Sequence, residues 1–307
     1  MEAILRCNGR KGTGGESAVT YHTIQCAVPA VKTVCGESGG TVYCVNSGAV
    51  YVQTDGGMIA LQTEDTVLSP IGFQMRCRRQ AFREHGIRVG EPVIFAKGCI
   101  CFPASDVYCR INSDGGNAMR VCGGSSERIA QKIAGLEKVI WQSQTAGIGQ
   151  IFRGEEIEEA VPVYRTIKRC LTDGYRMAGE QNWPGTASRL SHVIGLGIGL
   201  TPSGDDFLEG MFAGLLLAGQ WEHPLRQCLD LTVRRRLDRT NLISRAFLRC
   251  AADGLFSEAV QVFATWDSLS EATSGFERMG NSSGLDMLCG IYYGACILGG
   301  TRVKRFS

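Results

Sequence analysis

A chain of 307 residues, 44% hydrophobic and 20% charged, is long enough for two domains, and its ordinary composition excludes a disordered or fibrous polymer. A formal net charge of +2 leaves no basic field of the kind that draws nucleic acid, so the expected partner is a small molecule or another protein. Forty glycines, close to twice the usual share of about 7%, point to tight turns and close backbone approaches.

The N-terminal stretch MEAILRCNGRKGTGGES has too short an apolar run for a signal peptide, and apolar runs elsewhere break off well before the ~20 residues of a membrane span. The chain reads as cytoplasmic, with no membrane partner. Fourteen cysteines without any C-x-x-C spacing read mainly as reduced core residues, and Cys99 and Cys101 would share one face of a strand. None of the four histidines, His22, His85, His192 and His223, is paired at metal-ligand spacing.

Residues 1 to about 115 read as strands joined by tight turns. TVYCVNSGAVYVQTDGGMIALQT, residues 41–63, alternates apolar and polar side chains around an Asn-Ser-Gly and an Asp-Gly-Gly turn, which predicts a meander. Similar runs recur at VIFAKGCICF and DVYCRI, so the first domain is expected to be a β-barrel or sandwich. After INSDGGNAMRV, residues 111–121, the period becomes helical. SERIAQKIAGLEKVIWQ, EEIEEAVPVYRTIKRCLTDGYRMA, PLRQCLDLTVRRRLDRTNLISRAFLRCAADG and LFSEAVQVFATW all suit amphipathic helices, with Pro162 marking a break or kink in the second. The expected fold is α+β: a β-barrel-like or sandwich domain over 1–115, then a mainly helical domain over 116–307.

Residues 226–249 hold seven arginines and two aspartates. A solvated helix face with an Arg234/Asp238 pair accounts for most of this charge, and one or two inward-turned arginines would meet an anion.

The most informative stretch is GLGIGLTPSGDDFLEGMFAGLLLAG, residues 195–219. Thr201 and Pro202 suit a helix start, Thr as cap and Pro in the first helical position. Phe207, Leu208, Met211, Phe212, Leu215 and Leu216 then form an apolar stripe, while Gly210 and Gly214 leave room for a neighbouring backbone. A glycine-rich loop feeding a helix N-terminus is a ready anion site. The known phosphate motifs do not fit, because Pro202 stands in the third glycine's place of G-x-G-x-x-G, and Asp205-Asp206 stands where a P-loop needs Lys and Ser or Thr. SGLDMLCGIYYG, residues 283–294, repeats SGDDFLEGMFAG, residues 203–214, as S-G-x-D-x-L-x-G-x-x-x-G. Asp206 corresponds to Asp286, and Asp205 is an extra carboxylate.

Both corners suit plain capped, buried helices. They suit equally a pocket between two helix N-termini, where N–H groups and hydroxyls hold an anion while Asp205, Asp206 and Asp286 face Mg²⁺, an arginine or an amide. Thr240 and Ser244, four apart on a helix, would add hydroxyls. No Ser/His/Asp order is visible around Ser203.

GLGIGLTPSGDDFLEG, TNLIS at 240–244 and GNSSGLDMLCG at 280–290 together resemble the bacterial family whose best-known member type is the AllH subunit of oxamate carbamoyltransferase. The likeness lies in the C-terminal half. It implies a multi-subunit carbamoyltransferase of anaerobic allantoin and purine-nitrogen breakdown, in which oxalurate and phosphate give oxamate and carbamoyl phosphate. One partner subunit would be similar to acyl-CoA synthetases. The family motif falls on Gly197, Gly199, Thr201, Pro202, Ser203, Gly204, Asp205 and Asp206, and on Ser282, Ser283, Gly284 and Asp286, with the three aspartates expected as catalytic. Where the family's second loop commonly carries histidine, this chain has Asn281, which suits hydrogen bonding. No cofactor is required by this reading, and Mg²⁺ on Asp205 and Asp206 is the alternative. Two other functions stay open: a non-catalytic metabolite-binding or scaffold subunit, and a Mg²⁺-dependent phosphoryl or acyl transferase.

Overall fold

β-Branched and aromatic side chains fit a pleated, half-buried surface, and in the first third of the chain they form strands between turn residues. The computed structural model describes residues 18–96, 98–155 and 162–298. The N-terminal stretch scanned for a signal peptide therefore lies outside the described residues up to residue 17, as do residues 156–161 of the second predicted helical run. The chain divides into two compact units between Met119 and Arg120.

In the first unit the strands are β1 (Val19–Cys26), β2 (Gly39–Val45), β3 (Ala49–Thr54), β4 (Gly57–Thr63), β5 (Gly72–Met75), β6 (Pro92–Ala96), β7 (Cys99–Phe102) and β8 (Val107–Arg110). They close into a barrel in the order β1-β5-β4-β3-β2-β6-β7-β8, so of the two expected forms the barrel is the one formed. The alternating stretch 41–63 is the antiparallel β2-β3-β4 meander, with Thr41 opposite Gln53 and Ala49 opposite Gln62. Two pairs are parallel, β1 with β8 and β4 with β5, a topology that strand periodicity does not reveal. The crossover from β4 to β5 is pinned by buried Gln62, whose Oε1 accepts from the Ser69 N–H (2.9 Å) and hydroxyl (2.8 Å) while Nε2 donates to the Val67 carbonyl (2.7 Å). Cys99 and Cys101 do share a face, 3.7 Å apart beside Tyr108, and the described cysteines form no disulfide.

This unit also holds α1 (Val28–Gly36) and the single turn α2 (Ala81–Glu84), neither of which was expected among the strands. Val28, Val31, Thr33 and Val34 give α1 a strand-like composition. Its helical start is set by Pro29 in the first turn, and the Thr33 hydroxyl bonds back to the Pro29 carbonyl (3.3 Å).

The second unit contains α3 (Ser126–Gln142), α4 (Gly149–Arg153), α5 (Pro162–Gly179), α6 (Trp183–Leu190), α7 (Ser203–Leu217), α8 (Pro224–Arg235), α9 (Leu242–Ala252), α10 (Glu258–Thr265), α11 (Leu269–Glu277) and α12 (Ser283–Cys296). Pro162 is the first described residue of α5, and the break or kink expected there falls at the edge of residues 156–161, outside the described residues. The arginine-rich run is two helices, because the chain leaves α8 through a 3₁₀ turn at Leu237–Arg239 before α9 begins. Arg234 bonds to Asp230 and Asp253 rather than to Asp238, which lies beyond the end of α8.

α7 is the centre of this unit: every residue except Leu216 is buried, more than the single stripe expected. α12 packs against it in parallel. A Cβ at Gly210 would lie 2.0 Å from the Met287 carbonyl oxygen, and one at Gly290 would lie 2.0 Å from that of Phe207. Gly214 and Gly294 repeat the contact one turn on, against Ile291 and Met211. The two Gly-x-x-x-Gly faces therefore interlock backbone to backbone, as the repeated motif predicts.

Candidate functional site

Because the two helices run parallel, both repeated corners arrive at one end of the pair. The corners are built alike. A Cβ at Gly204 would meet the Val193 carbonyl oxygen at 2.0 Å, and one at Gly284 would meet that of Phe276 at 1.9 Å, so each helix starts against the end of the preceding turn or helix. The glycine loop reaches its corner through backbone that only glycine takes easily, with φ of 75° at Gly195 and 133° at Gly197.

The start of α7 differs from the expected cap. Pro202, not Thr201, occupies the position before the helix, at φ −57° and ψ 139°, and its carbonyl accepts from the Asp205 (2.9 Å) and Asp206 (3.2 Å) N–H groups. The Gly204 N–H is taken by the Leu196 carbonyl (2.8 Å). The loop thus folds back and satisfies α7's first donors itself. At α12 the Asp286 N–H donates to the Ser282 carbonyl (2.8 Å), and the N–H groups of Ser283, Gly284 and Leu285 have no acceptor along their own helix.

Thr201 turns its hydroxyl across the gap instead, 3.1 Å from Asp206 Oδ2 and 3.0 Å from Ser283 Oγ. The link between the corners is reciprocal. Ser283 of α12 acts on Asp206 of α7, and Ser203 of α7 acts on Asp286 of α12. Ser203 Oγ also meets Tyr164 Oη of α5 at 3.2 Å. Asp286 Oδ1 accepts the Ile148 N–H (2.6 Å) just before α4, while Oδ2 has no well-formed hydrogen bond. Ser282 also acts on Asp286.

Asp205 points the other way, toward α9. It accepts from the Gly195 N–H (2.8 Å) and from the Thr240 hydroxyl. Thr240 is not on α9: it lies in extended backbone before the helix, which Asn241 caps by accepting from Ile243 (3.0 Å) and Ser244 (3.1 Å) N–H groups. Asn241 also donates to the Leu200 carbonyl (2.9 Å), tying the glycine loop to this cap. The Ser244 hydroxyl, 1% exposed, lies beside Asp205 without a well-formed hydrogen bond.

Burial is graded across the two corners. Gly199 and Asn281 are exposed, Gly197, Thr201, Thr240, Ser282 and Ser283 are half-buried, and Ser203, Gly204, Asp205, Asp206 and Asp286 are buried. Ile198 and Leu200 stand out from the loop into solvent.

Burial dominates the electrostatics. It raises Asp205, raises Asp206 well above the ordinary carboxylate value with help from the Asp286 charge, and raises Asp286 to about 7. Glu209, one turn further along α7, is raised to about 8 by burial and by Asp205. No described lysine or arginine forms an ion pair with any of the four. Arg245, one of the seven arginines of the run, bonds to the Leu237 (3.0 Å) and Thr240 (3.5 Å) carbonyls. With Asp286 raised to about 7 and Glu209 to about 8, part of this group keeps its proton at neutral pH, so the site can donate as well as accept.

Among the described residues, no group of three or more His, Cys, Asp or Glu is arranged to hold a metal ion. Reasoning from the sequence missed Glu209, Tyr164 and Ile148. A glutamate inside the apolar run of α7, four residues after Asp205, was the available signal for the first, whereas the other two come close only through the tertiary fold.

Known proteins bear directly on these corners. Residues 193–295 match the family model of oxamate carbamoyltransferase subunit AllH. The AllH match begins at the turn before the glycine loop and ends inside the last turn of α12, so it spans both corners and every candidate residue named above except Tyr164 and Ile148. It covers about a third of the chain and none of the barrel. No solved structure matches the chain. No helix among the described residues is long and apolar enough to cross a membrane.

Proposed function

We propose that this chain is a subunit of oxamate carbamoyltransferase and that the twin corner holds the carbamoyl substrate. The observation that carries this reading is the convergence of Asp206 and Asp286: duplicated motifs bring two buried carboxyls to one end of a parallel helix pair, with no cation beside them. Such a cluster is best matched by a ligand rich in N–H donors, and a carbamoyl group presents an NH₂. The half-buried hydroxyls of Ser282 and Ser283 and the open N–H groups at the start of α12 suit the anionic end or phosphate.

In the proposed reaction, oxalurate and phosphate give oxamate and carbamoyl phosphate. A phosphate oxygen bonds to the carbamoyl carbon while the bond from that carbon to the oxamate nitrogen breaks, and the nitrogen takes a proton. A protonated carboxyl of the Asp206/Asp286 pair is placed to supply it. Asp205, held by Gly195 and Thr240, fixes the glycine loop that borders the substrate. The other subunits of a cytoplasmic complex, one of them similar to acyl-CoA synthetases, complete the enzyme.

The test is carbamoyl phosphate formation from oxalurate and phosphate by the chain alone and with its partner subunits. Asp206→Asn should cut complex activity by about 100-fold or more with assembly intact. Full activity in that variant would sink the catalytic reading. Calorimetry with oxalurate, with and without Mg²⁺, separates direct amide recognition from a metal site, because only the latter needs the ion.

A further inference from the structure

The serine of each corner acts on the aspartate of the other, and each serine is in turn held by a hydroxyl from outside the repeated motif. On one side Thr201 Oγ1 lies 3.0 Å from Ser283 Oγ, and Ser283 acts on Asp206. On the other side Tyr164 Oη lies 3.2 Å from Ser203 Oγ, and Ser203 acts on Asp286. Thr201 belongs to the glycine loop, within the stretch that matches the AllH family. Tyr164 stands in the first turn of α5, before that stretch begins.

The partner of this tyrosine is unusual. Most side-chain hydrogen bonds go to main chain or water, and Tyr293 of the same unit follows that rule by donating to the Leu171 carbonyl at 2.7 Å. Tyr164, 7% exposed, meets the hydroxyl of a fully buried serine instead. Beyond the serine is the Asp286 carboxyl, itself fully buried. Gly147 closes on it so tightly that a Cβ there would lie 2.5 Å from Oδ1 and 2.9 Å from Oδ2, and Oδ1 accepts the Ile148 N–H. Oδ2 has no well-formed hydrogen bond. Burial raises this carboxyl, and Ser203 opposes the rise more than the Ile148 N–H or Ser282 does. A serine hydroxyl carries one proton and rotates to suit its neighbours, so what holds the Ser203 oxygen decides whether Asp286 receives that proton.

We propose that Tyr164 is a positioning residue for proton donation: by occupying one side of the Ser203 hydroxyl, it turns the serine's proton toward Asp286. The proposal rests on the reading of Asp286 as a proton donor in carbamoyl transfer. When Asp286 gives its proton to the departing oxamate nitrogen, a buried carboxylate is left behind, and the Ser203 proton is aimed at it. Tyr164 donates to Ser203 Oγ and Ser203 donates to Asp286, with no covalent bond changed along the chain. The tyrosine works from behind the serine, so it governs the rate of the step and not substrate binding.

The experiment has two arms. In the first, carbamoyl phosphate formation from oxalurate and phosphate is followed with the full complex. Tyr164→Phe should lower kcat about tenfold, as for one lost hydrogen bond to a charged group, with KM for oxalurate within about twofold. Ser203→Ala should lose as much, and the double variant no more than either single one. Unchanged kcat, an effect confined to KM, or losses that multiply would each overturn the proposal. In the second arm, ¹³C-carboxyl NMR on the full chain follows Asp286, assigned by its loss in Asp286→Asn. Its titration, expected near 7, should move to higher pH in Tyr164→Phe and in Ser203→Ala, because the carboxylate loses a donor. Lost activity with an unmoved titration would show a merely structural tyrosine and overturn the proposal. If the wild-type complex makes no carbamoyl phosphate, the carbamoyl reading falls, and the NMR arm still decides whether Tyr164 acts on Asp286 through Ser203. Should Tyr164→Phe fail to fold, 3-fluorotyrosine in place of Tyr164, a stronger donor, should move the titration to lower pH, and no movement there overturns the proposal.

Discussion

Replacing Asp286 with Asn should make the chain more stable above neutral pH and leave it nearly unchanged below about pH 4. Burial raises this carboxyl from the ordinary 3.8 to about 7, and its residue is 0% exposed, so solvent does not screen the effect. The folded state therefore holds a proton that the unfolded chain releases near 3.8. Below that pH both states are protonated and the full stability is present. Between about 4 and 7 the folded state is the one that binds the proton, so stability falls as pH rises, and above 7 the loss is complete. Each pH unit is worth about 1.4 kcal/mol, which puts the loss on the order of 4 kcal/mol, or roughly 10 °C in melting temperature for a chain of this size. Asparagine keeps the acceptor for the Ile148 N–H and removes the charge. Thermal unfolding of wild type and variant at intervals from about pH 5 to 8.5 measures the difference, which should widen steadily toward pH 7 in the variant's favour. A difference independent of pH would refute the assignment of a raised carboxyl to Asp286.

Gly210→Ala should destabilise by about 3 kcal/mol or more in urea unfolding, since its Cβ would lie 2.0 Å from the Met287 carbonyl, whereas Gly179→Ala, with nothing within 4 Å, should stay within about 0.5 kcal/mol. Lys132→Met should cost about 2–3 kcal/mol by the same assay: buried Lys132 donates to the Phe263, Ala264 and Trp266 carbonyls at the end of α10, and methionine fills the space without satisfying them. Asn241→Ala should cost about 1 kcal/mol as a lost helix cap and, by freeing the Leu200 carbonyl, should raise hydrogen exchange in the loop 195–201 more than in α9.

The sequence made some of this legible because certain signals are local. The 41–63 meander depends on alternation and on two glycine turns, and both survive in the barrel. The duplicated S-G-x-D-x-L-x-G-x-x-x-G pattern is legible for a stronger reason: at Gly210, Gly214, Gly290 and Gly294 a side chain would strike a carbonyl of the other helix, so the crossing dictates the residue type. What stayed hidden depends on distant partners. Thr201 looks like a cap, but its hydroxyl is drawn to Ser283, 82 residues away, and Pro202 takes the cap position. Thr240 and Ser244 look like one helical face, but Asn241 starts the helix between them, and what unites them is Asp205. Arg234 finds Asp253 because α8 ends before Asp238 can pair. The parallel β4–β5 pair depends on a buried glutamine whose role no periodicity announces.

The same geometry explains why acids sit where they do. Two parallel helices bring two N-termini together, and the N–H dipoles there favour negative charge. A crossing tight enough to need glycine excludes water, which favours the neutral form instead. The aspartates at this end are therefore held between two opposing influences; burial raises all three, and Asp286, at about 7, titrates where proton donation at neutral pH requires. The cost is local and large, about 4 kcal/mol for Asp286 alone when ionised. It is offset by the apolar side chains on the same pair of helices: Phe207, Leu208, Met211, Phe212, Leu215, Ile291 and Tyr293 are all fully buried, each contributing about 1.5–3 kcal/mol. The interlocked glycines thus both stabilise the unit and, by excluding water, raise its acids above the ordinary carboxylate range.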